Sequence, residues 1–274
     1  MTLDEVHSGD SESKEPTANR ILLALFDVLG FSERIQQQNL DSILSTYRDL
    51  IEKAVLEPAR SCLGAVLTPE GGRVLTVFRL PVRYAYFSDT ILLWVPLEQV
   101  YAAAFVTRCA DLMCEAIAMA IPLRGAICLG EAVMHRATNV YLGKPLVEAA
   151  RLEKGQDWVG LTFGWSATWP QFIAELEGPS MIEYPAPMKP GYADAASPVV
   201  VDWPRAWRDK HSACLKERLT ILNTNPNPRV RSKYENTITF VDHSIACHDW
   251  HKHPDKIPAD AKLRMVPFSR IRSP

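Results

Sequence analysis

The sequence lacks any apolar run approaching the ~20 residues that a helix needs to cross a bilayer. Its first nineteen residues are polar and acidic, without the apolar core of a leader, so neither a signal peptide nor a membrane anchor is expected. An excess of one charge is missing too. Lys and Arg number 30 against 32 Asp and Glu, for a formal net charge of −2, and no polybasic arm is present. That balance argues against a nucleic-acid partner and against a membrane surface. The six cysteines, Cys62, Cys109, Cys114, Cys128, Cys214 and Cys247, include no CxxC pair. Cys109 and Cys114 fall in a run that reads as a buried helix. Free core thiols in a reducing cytoplasm are the expectation. No internal repeat is visible.

What is present is ordinary globular composition, 47% hydrophobic and 23% charged over 274 residues, enough to bury a real core. Residues 1–19 read as a disordered tail, 20–250 as one domain and 251–274 as a C-terminal extension. The run Ile21 to Phe26 is continuously apolar, as expected of a central strand buried on both faces. Ser32 is the expected N-cap of a helix in which Ile35, Leu40, Ile43, Leu44, Tyr47, Leu50, Ile51 and Leu56 fall near one face, until Pro58 stops it. Pro69 to Gly72 signals a turn. Val82 to Phe87 and Ile91 to Val95 read as a hairpin with Asp89 at its tip. Residues 98–120 form an apolar helix, Leu123 to Glu131 a strand, and a short strand ends near Tyr141. Pro145 opens a helix to about Glu153. Beyond 155 the pattern weakens, with Pro-rich excursions at 179–198 and 226–228. Residues 234–241 fit either helix or strand. Strands and helices mix without regular βαβ alternation, so the expected class is α+β, a mainly antiparallel sheet with helices on one face.

Two carboxylates stand out. Asp27 ends a wholly apolar strand, and Asp89 sits between two more. If these strands are neighbours, both reach one sheet edge, where they repel unless cations bind between them. Hard oxygen ligands suit Mg²⁺ or Mn²⁺. The amides of Leu29, Gly30, Phe31 and Ser32, at a helix start, offer an anion site for phosphates. The plain alternative is a capping Asp27 and a turn Asp89. Arg124 is either an edge charge or a substrate contact. Arg229, Arg231 and Lys233 form a basic cluster that is either a solvated loop or an anion site. The His243, Cys247, His248, His251, His253 tract is metal-like in composition, but it has no partner pair elsewhere and reads as a polar C-terminal segment. Trp158, Phe163, Trp165, Trp169 and Phe172 read as core or dimer packing.

These residues also carry a resemblance. Asp27-Val28-Leu29-Gly30-Phe31-Ser32 resembles the first metal motif of class III adenylate and guanylate cyclases. Phe87-Ser88-Asp89 resembles the second, with Ser88 for the usual Gly. Arg124-Gly125-Ala126-Ile127 with Gly130 is similar to the strand that follows. Gly143 and Arg151 keep the family's spacing. The matches occur in family order across roughly residues 20–155. The resemblance implies a ferredoxin-like core that forms a head-to-tail homodimer with shared sites. It implies that Asp27, Asp89 and the Val28 carbonyl hold two divalent metal ions, Mn²⁺ or Mg²⁺. It implies that Arg151 comes from the partner protomer to stabilise the transferring phosphoryl group, and that Lys233 binds the triphosphate.

Three positions depart from the family. Val147 replaces the usual Asn, and Ala85 and Val140 replace the polar residues with which purine cyclases read the base. Tyr84, Tyr86 and Arg124 are then the nearest long polar side chains, and Arg124 is the first choice as base reader. The phrases Phe-Asp-Val-Leu-Gly-Phe-Ser, Phe-Ser-Asp-Thr and Leu-Val-Glu-Ala-Ala-Arg-Leu-Glu, with Lys233-Tyr234-Glu235-Asn236-Thr237, look most like the pyrimidine cyclases of bacterial antiphage Pycsar systems. That implies UTP as substrate ahead of CTP, and a separate effector that reads the cyclic product. A purine cyclase, or an inactive cyclase-like nucleotide sensor, is the alternative.

Overall fold

A computed structural model describes residues 16–67, 73–168, 181–225 and 227–252. The chain opens with β1 (Ala18–Val28), two residues inside the segment assigned to the tail. Leu22, Ala24, Phe26 and Val28 enter one core cluster, while Ile21, Leu23 and Leu25 enter a second. A strand with a core on each face has no polar side to show, which is why its sequence does not alternate.

After β1 come α1 (Phe31–Gln37) and α2 (Leu40–Ile51), which runs through a π-helical turn (Glu52–Leu56) into α3 (Glu57–Ala59). The single helix expected here is thus broken. The Asn39 side chain accepts the Asp41 N–H at 2.8 Å and caps a new start. Ile35, Leu40 and Leu44 consequently face solvent rather than the core. The cap of α1 is Gly30 at φ 76°, not Ser32, which lies in the first turn. That left-handed backbone suits glycine.

A separate hairpin, β2 (Cys62–Leu67) with β3 (Arg73–Phe78), follows. The Pro69–Gly72 turn signal lies outside the described residues. Next come β4 (Arg83–Phe87), β5 (Thr90–Pro96), α4 (Gln99–Ala118), β6 (Leu123–His135), β7 (Val140–Gly143) and α5 (Lys144–Gly155). The expected hairpin is confirmed: Phe87 pairs with Thr90, leaving Ser88 and Asp89 as the turn. Ser88 holds φ 54°, a conformation that favours the glycine usual in the resembling family.

The sheet order is β4-β5-β1-β6, continued by β8 (Leu161–Gly164), β10 (Ala196–Val201) and β9 (Met181–Glu183). The first four strands are mutually antiparallel, and β8 runs parallel to β6. With α1 and α2 after β1 and α4 after β5, the four strands trace the βαββαβ path of a ferredoxin-like sheet, so the class is α+β with a mostly antiparallel sheet. Three helices close the described chain: α6 (Trp203–Lys210), α7 (Leu215–Leu222) and α8 (Pro228–Lys252). Residues 234–241 are therefore helix.

The helices divide between the faces. Residues of α2, α4 and α6–α8 share the larger core cluster with Leu22 and Phe26. Helix α5 instead packs Ala149 and Leu152 on Leu23 and Leu25, on the opposite face. The expectation of helices on one face holds for α2 and α4 but not for α5. Gly143 permits that placement, because a Cβ there would lie 2.6 Å from the Ala132 Cβ. Cys109 and Cys114 are buried free thiols of α4, as expected. Trp158 and Phe163 are core residues, Trp165 is exposed, and Trp169 and Phe172 lie outside the described residues.

Candidate active site

The end of β1 is pinned from two sides. The Val28 N–H donates to the Asp89 carbonyl at 2.8 Å, and the Leu29 N–H donates to the Pro122 carbonyl at 2.9 Å. Asp27 pairs across the ladders with Thr90 on β5 and Arg124 on β6. The backbone thus brings Asp27, Val28 and Asp89 to one edge of the sheet, as the sequence predicts. The Leu29 amide is engaged by Pro122, so it is unavailable to an anion. Gly30, Phe31 and Ser32 remain at the start of α1, a helix of seven residues.

Asp27 alternates with Leu23 and Leu25 and shares their face, towards α5. There it meets Arg124, whose Nε donates to Asp27 Oδ2 at 3.1 Å. Arg124 Nη2 lies 2.6 Å from Glu153 Oε1 in an ion pair. Its Nη1 donates to the Gln156 carbonyl at 3.2 Å. All three guanidinium nitrogens are engaged within the chain, so Arg124 is placed to orient Asp27 rather than to read a base. Gln156 is fixed in turn. Its Nε2 donates to the Gly125 carbonyl at 2.7 Å, and its Oε1 accepts from Trp158 Nε1 at 2.8 Å.

Burial pushes the Glu153 carboxyl up to about 7, with Arg124 pulling it down and Asp27 pushing it further up. Two carboxyls beside one guanidinium leave an excess of acid, and Asp89 adds to it. Tyr47, on α2, is held at about 12 by burial, lowered somewhat by Arg34 and raised by Asp89 and Asp27. Its hydroxyl is buried without a hydrogen-bond partner among the described residues. The sequence marks Tyr47 as a core-face residue and Glu153 as a helix end, but none of Glu153, Gln156 and Tyr47 as part of a site. A buried polar residue next to an apolar helical repeat is the signal that could have found them.

Lys233 lies near the start of α8, half-buried. Burial depresses its ammonium, and Arg124 and then Lys189 depress it further, against Asp157 and Asp27. The basic cluster is therefore helical, not a loop, and its third member is within electrostatic reach of Asp27. Arg151 is exposed on α5, and Val147, one turn earlier, is 72% exposed. Arg151 makes no ion pair among the described residues. Tyr86 is 40% exposed and stacks on Tyr84, ring centroids 6.2 Å apart. Ala85 packs towards the α5 face. His243 bonds the Glu183 carbonyl at 3.0 Å, with Cys247 Sγ 3.6 Å away. Among the described residues no three His, Cys, Asp or Glu side chains group as a metal cage. No described helix is long and apolar enough to cross a membrane.

No protein-family model and no curated protein sequence matches the chain. Among solved structures, it is similar to a bacterial light-regulated adenylyl cyclase, with a TM-score of 0.42, 13% identity, and coverage of 68% of this chain and 51% of that one. The chain thus spans about half the length of that protein. It is similar to the adenylyl cyclase CyaB from P. aeruginosa, with a TM-score of 0.41, 12% identity, and coverage of 68% and 95%. It is also similar to the guanylate cyclase domain of RhGC from Catenaria anguillulae in complex with GTP, with a TM-score of 0.40, 11% identity, and coverage of 61% and 87%.

Proposed function

We propose that the chain is a nucleotidyl cyclase that converts a nucleoside triphosphate into its 3′,5′-cyclic monophosphate and pyrophosphate. One observation carries the reading. The Val28 N–H bond to the Asp89 carbonyl, at 2.8 Å, holds the ends of two apolar strands so that Asp27 and Asp89 share one sheet edge.

A divalent cation fits this donor set. Asp27, Asp89 and the Val28 carbonyl are hard oxygen ligands, and carboxyl groups outnumber the guanidinium beside them. Mg²⁺ or Mn²⁺ takes few protein ligands and fills its shell with substrate phosphates and water, so two carboxylates without a wider cage suffice. When bound, such ions lower the pKa of the ribose 3′-hydroxyl and offset charge on the triphosphate. The protein's own groups do the rest. Arg124 and Glu153 orient Asp27, and Lys233 meets the phosphates. The 3′-oxygen bonds to the α-phosphorus as the bond to the pyrophosphate oxygen breaks. Arg151 of a second protomer stabilises the charge that develops on the phosphoryl group. Its exposure beside Val147 on the outer face of α5 supports a homodimer with shared sites.

The base is a pyrimidine in this reading, because Ala85 and Val140 have no polar side-chain atom with which to read a purine. With Arg124 engaged elsewhere, the exposed Tyr86 hydroxyl is the better reader. It donates or accepts, and so serves uracil or cytosine. The cyclic product would be a second messenger for a separate effector in antiphage defence. An equimolar mixture of the four triphosphates with Mn²⁺ tests the base. Cyclic UMP and cyclic CMP should exceed the purine products by about ten- to a hundredfold. Dominant cyclic AMP or cyclic GMP would overturn the pyrimidine assignment and leave the cyclase standing.

A further inference from the structure

Lys189 lies between β9 and β10 in the Pro-rich excursion, far in sequence from the residues discussed so far. Two bonds tie it to the C-terminal turn of α5. Its backbone N–H donates to the Gly155 carbonyl at 2.7 Å, and its Nζ donates to the Lys154 carbonyl at 2.6 Å. Arg124 reaches the same turn at the Gln156 carbonyl. Asp157, the next residue, receives the Asn236 side-chain amide on its carbonyl at 2.8 Å, which brings in the start of α8 and with it Lys233. Lys189, Arg124 and the start of α8 are therefore all tied to residues 154–157.

Neither lysine ammonium lies within ion-pair distance of a carboxylate among the described residues. Both ammoniums are depressed. Burial acts first on each, Arg124 repels each, and Lys189 repels Lys233. Capping the carbonyls at the end of α5 accounts for one cation. It does not account for a second lysine on the helix tied to the same turn, whereas Arg124 is already balanced by Asp27 and Glu153. Two lysines held near one another without carboxylate partners are the electrostatic counterpart of an anion site, and an ammonium with one bond to a carbonyl keeps two donors free.

We propose that Lys189 is a polyphosphate-binding residue, which with Lys233 forms a two-lysine cradle for the substrate's β- and γ-phosphates. The proposal rests on the reading of the chain as an enzyme acting on nucleoside triphosphates. Its test keeps the two separable. The full chain is titrated calorimetrically with inorganic tripolyphosphate in EDTA, and its turnover is measured separately. Lys189→Gln keeps a donor for the Lys154 carbonyl but loses the charge. It should weaken tripolyphosphate binding about ten- to thirtyfold at an unchanged Tm. Lys189→Arg should restore binding. In turnover the Gln variant should raise KM more than it lowers kcat. If Lys189→Gln binds tripolyphosphate as the wild type does while the wild type cyclises, the Lys189 assignment falls and the cyclase reading stands. If the variant loses tripolyphosphate binding but the wild type cyclises no triphosphate, the cyclase reading falls and the cradle stands. A wild type that does not bind tripolyphosphate overturns the cradle.

Discussion

Asp27→Ala and Asp89→Ala should each abolish cyclisation and leave the fold standing. Loss of a residue that only supports a metal ligand typically costs about 10–100-fold, so loss of a ligand itself should exceed that. The fold should survive for a reason visible in the structure. The Arg124 side chain is only 12% exposed, so removing its Asp27 partner with nothing in its place would strand a buried charge. Glu153 prevents this, because it already lies 2.6 Å from Arg124. Asp27 is one of the influences holding the Glu153 acid up near 7. Without it, Glu153 ionises more readily and balances the guanidinium alone. The check is turnover at saturating Mn²⁺, together with the rise in Tm that Mn²⁺ produces in the wild type. Both should vanish in each variant. Wild-type turnover in either would remove the two-metal assignment.

Mixing two inactive variants should restore activity. Arg151 is exposed on α5 and makes no ion pair among the described residues. If it completes the site of a partner, an Asp27→Ala chain and an Arg151→Ala chain are each dead alone. In a symmetric heterodimer of the two, one site carries both lesions and the other carries neither. Random exchange of equal amounts then leaves about a quarter of all sites intact, and about a quarter of the wild-type rate. Subunit exchange is confirmed by native mass spectrometry. Confirmed exchange with no recovery would count against shared sites.

The parts of this site that were legible in the sequence are those set by local pattern. Asp27 interrupts an apolar run, and the β4–β5 hairpin is marked by two β-type runs three residues apart, so the sheet edge that joins them followed from strand pairing. The break between α1 and α2 was not legible. The periodicity of Ile35, Leu40 and Leu44 runs across it, and the Asn39 cap outweighs that signal. The position of α5 was also hidden, because an amphipathic pattern gives a buried face but not which side of the sheet it covers. The Arg124 network is a tertiary fact. Its partners lie 97 and 32 residues away at Asp27 and Gln156. Glu153 reads as an ordinary helical glutamate until α5 is docked, and Lys189 sits where short strands leave almost no periodic trace.

Product identification after incubation of the purified chain with a single triphosphate and Mn²⁺ tests the central claim most directly. Mass spectrometry should find the 3′,5′-cyclic monophosphate and pyrophosphate in equal amounts from UTP or CTP, and neither from the Asp27→Ala chain. A diphosphate with inorganic phosphate, or no product from any of the four triphosphates, would contradict it.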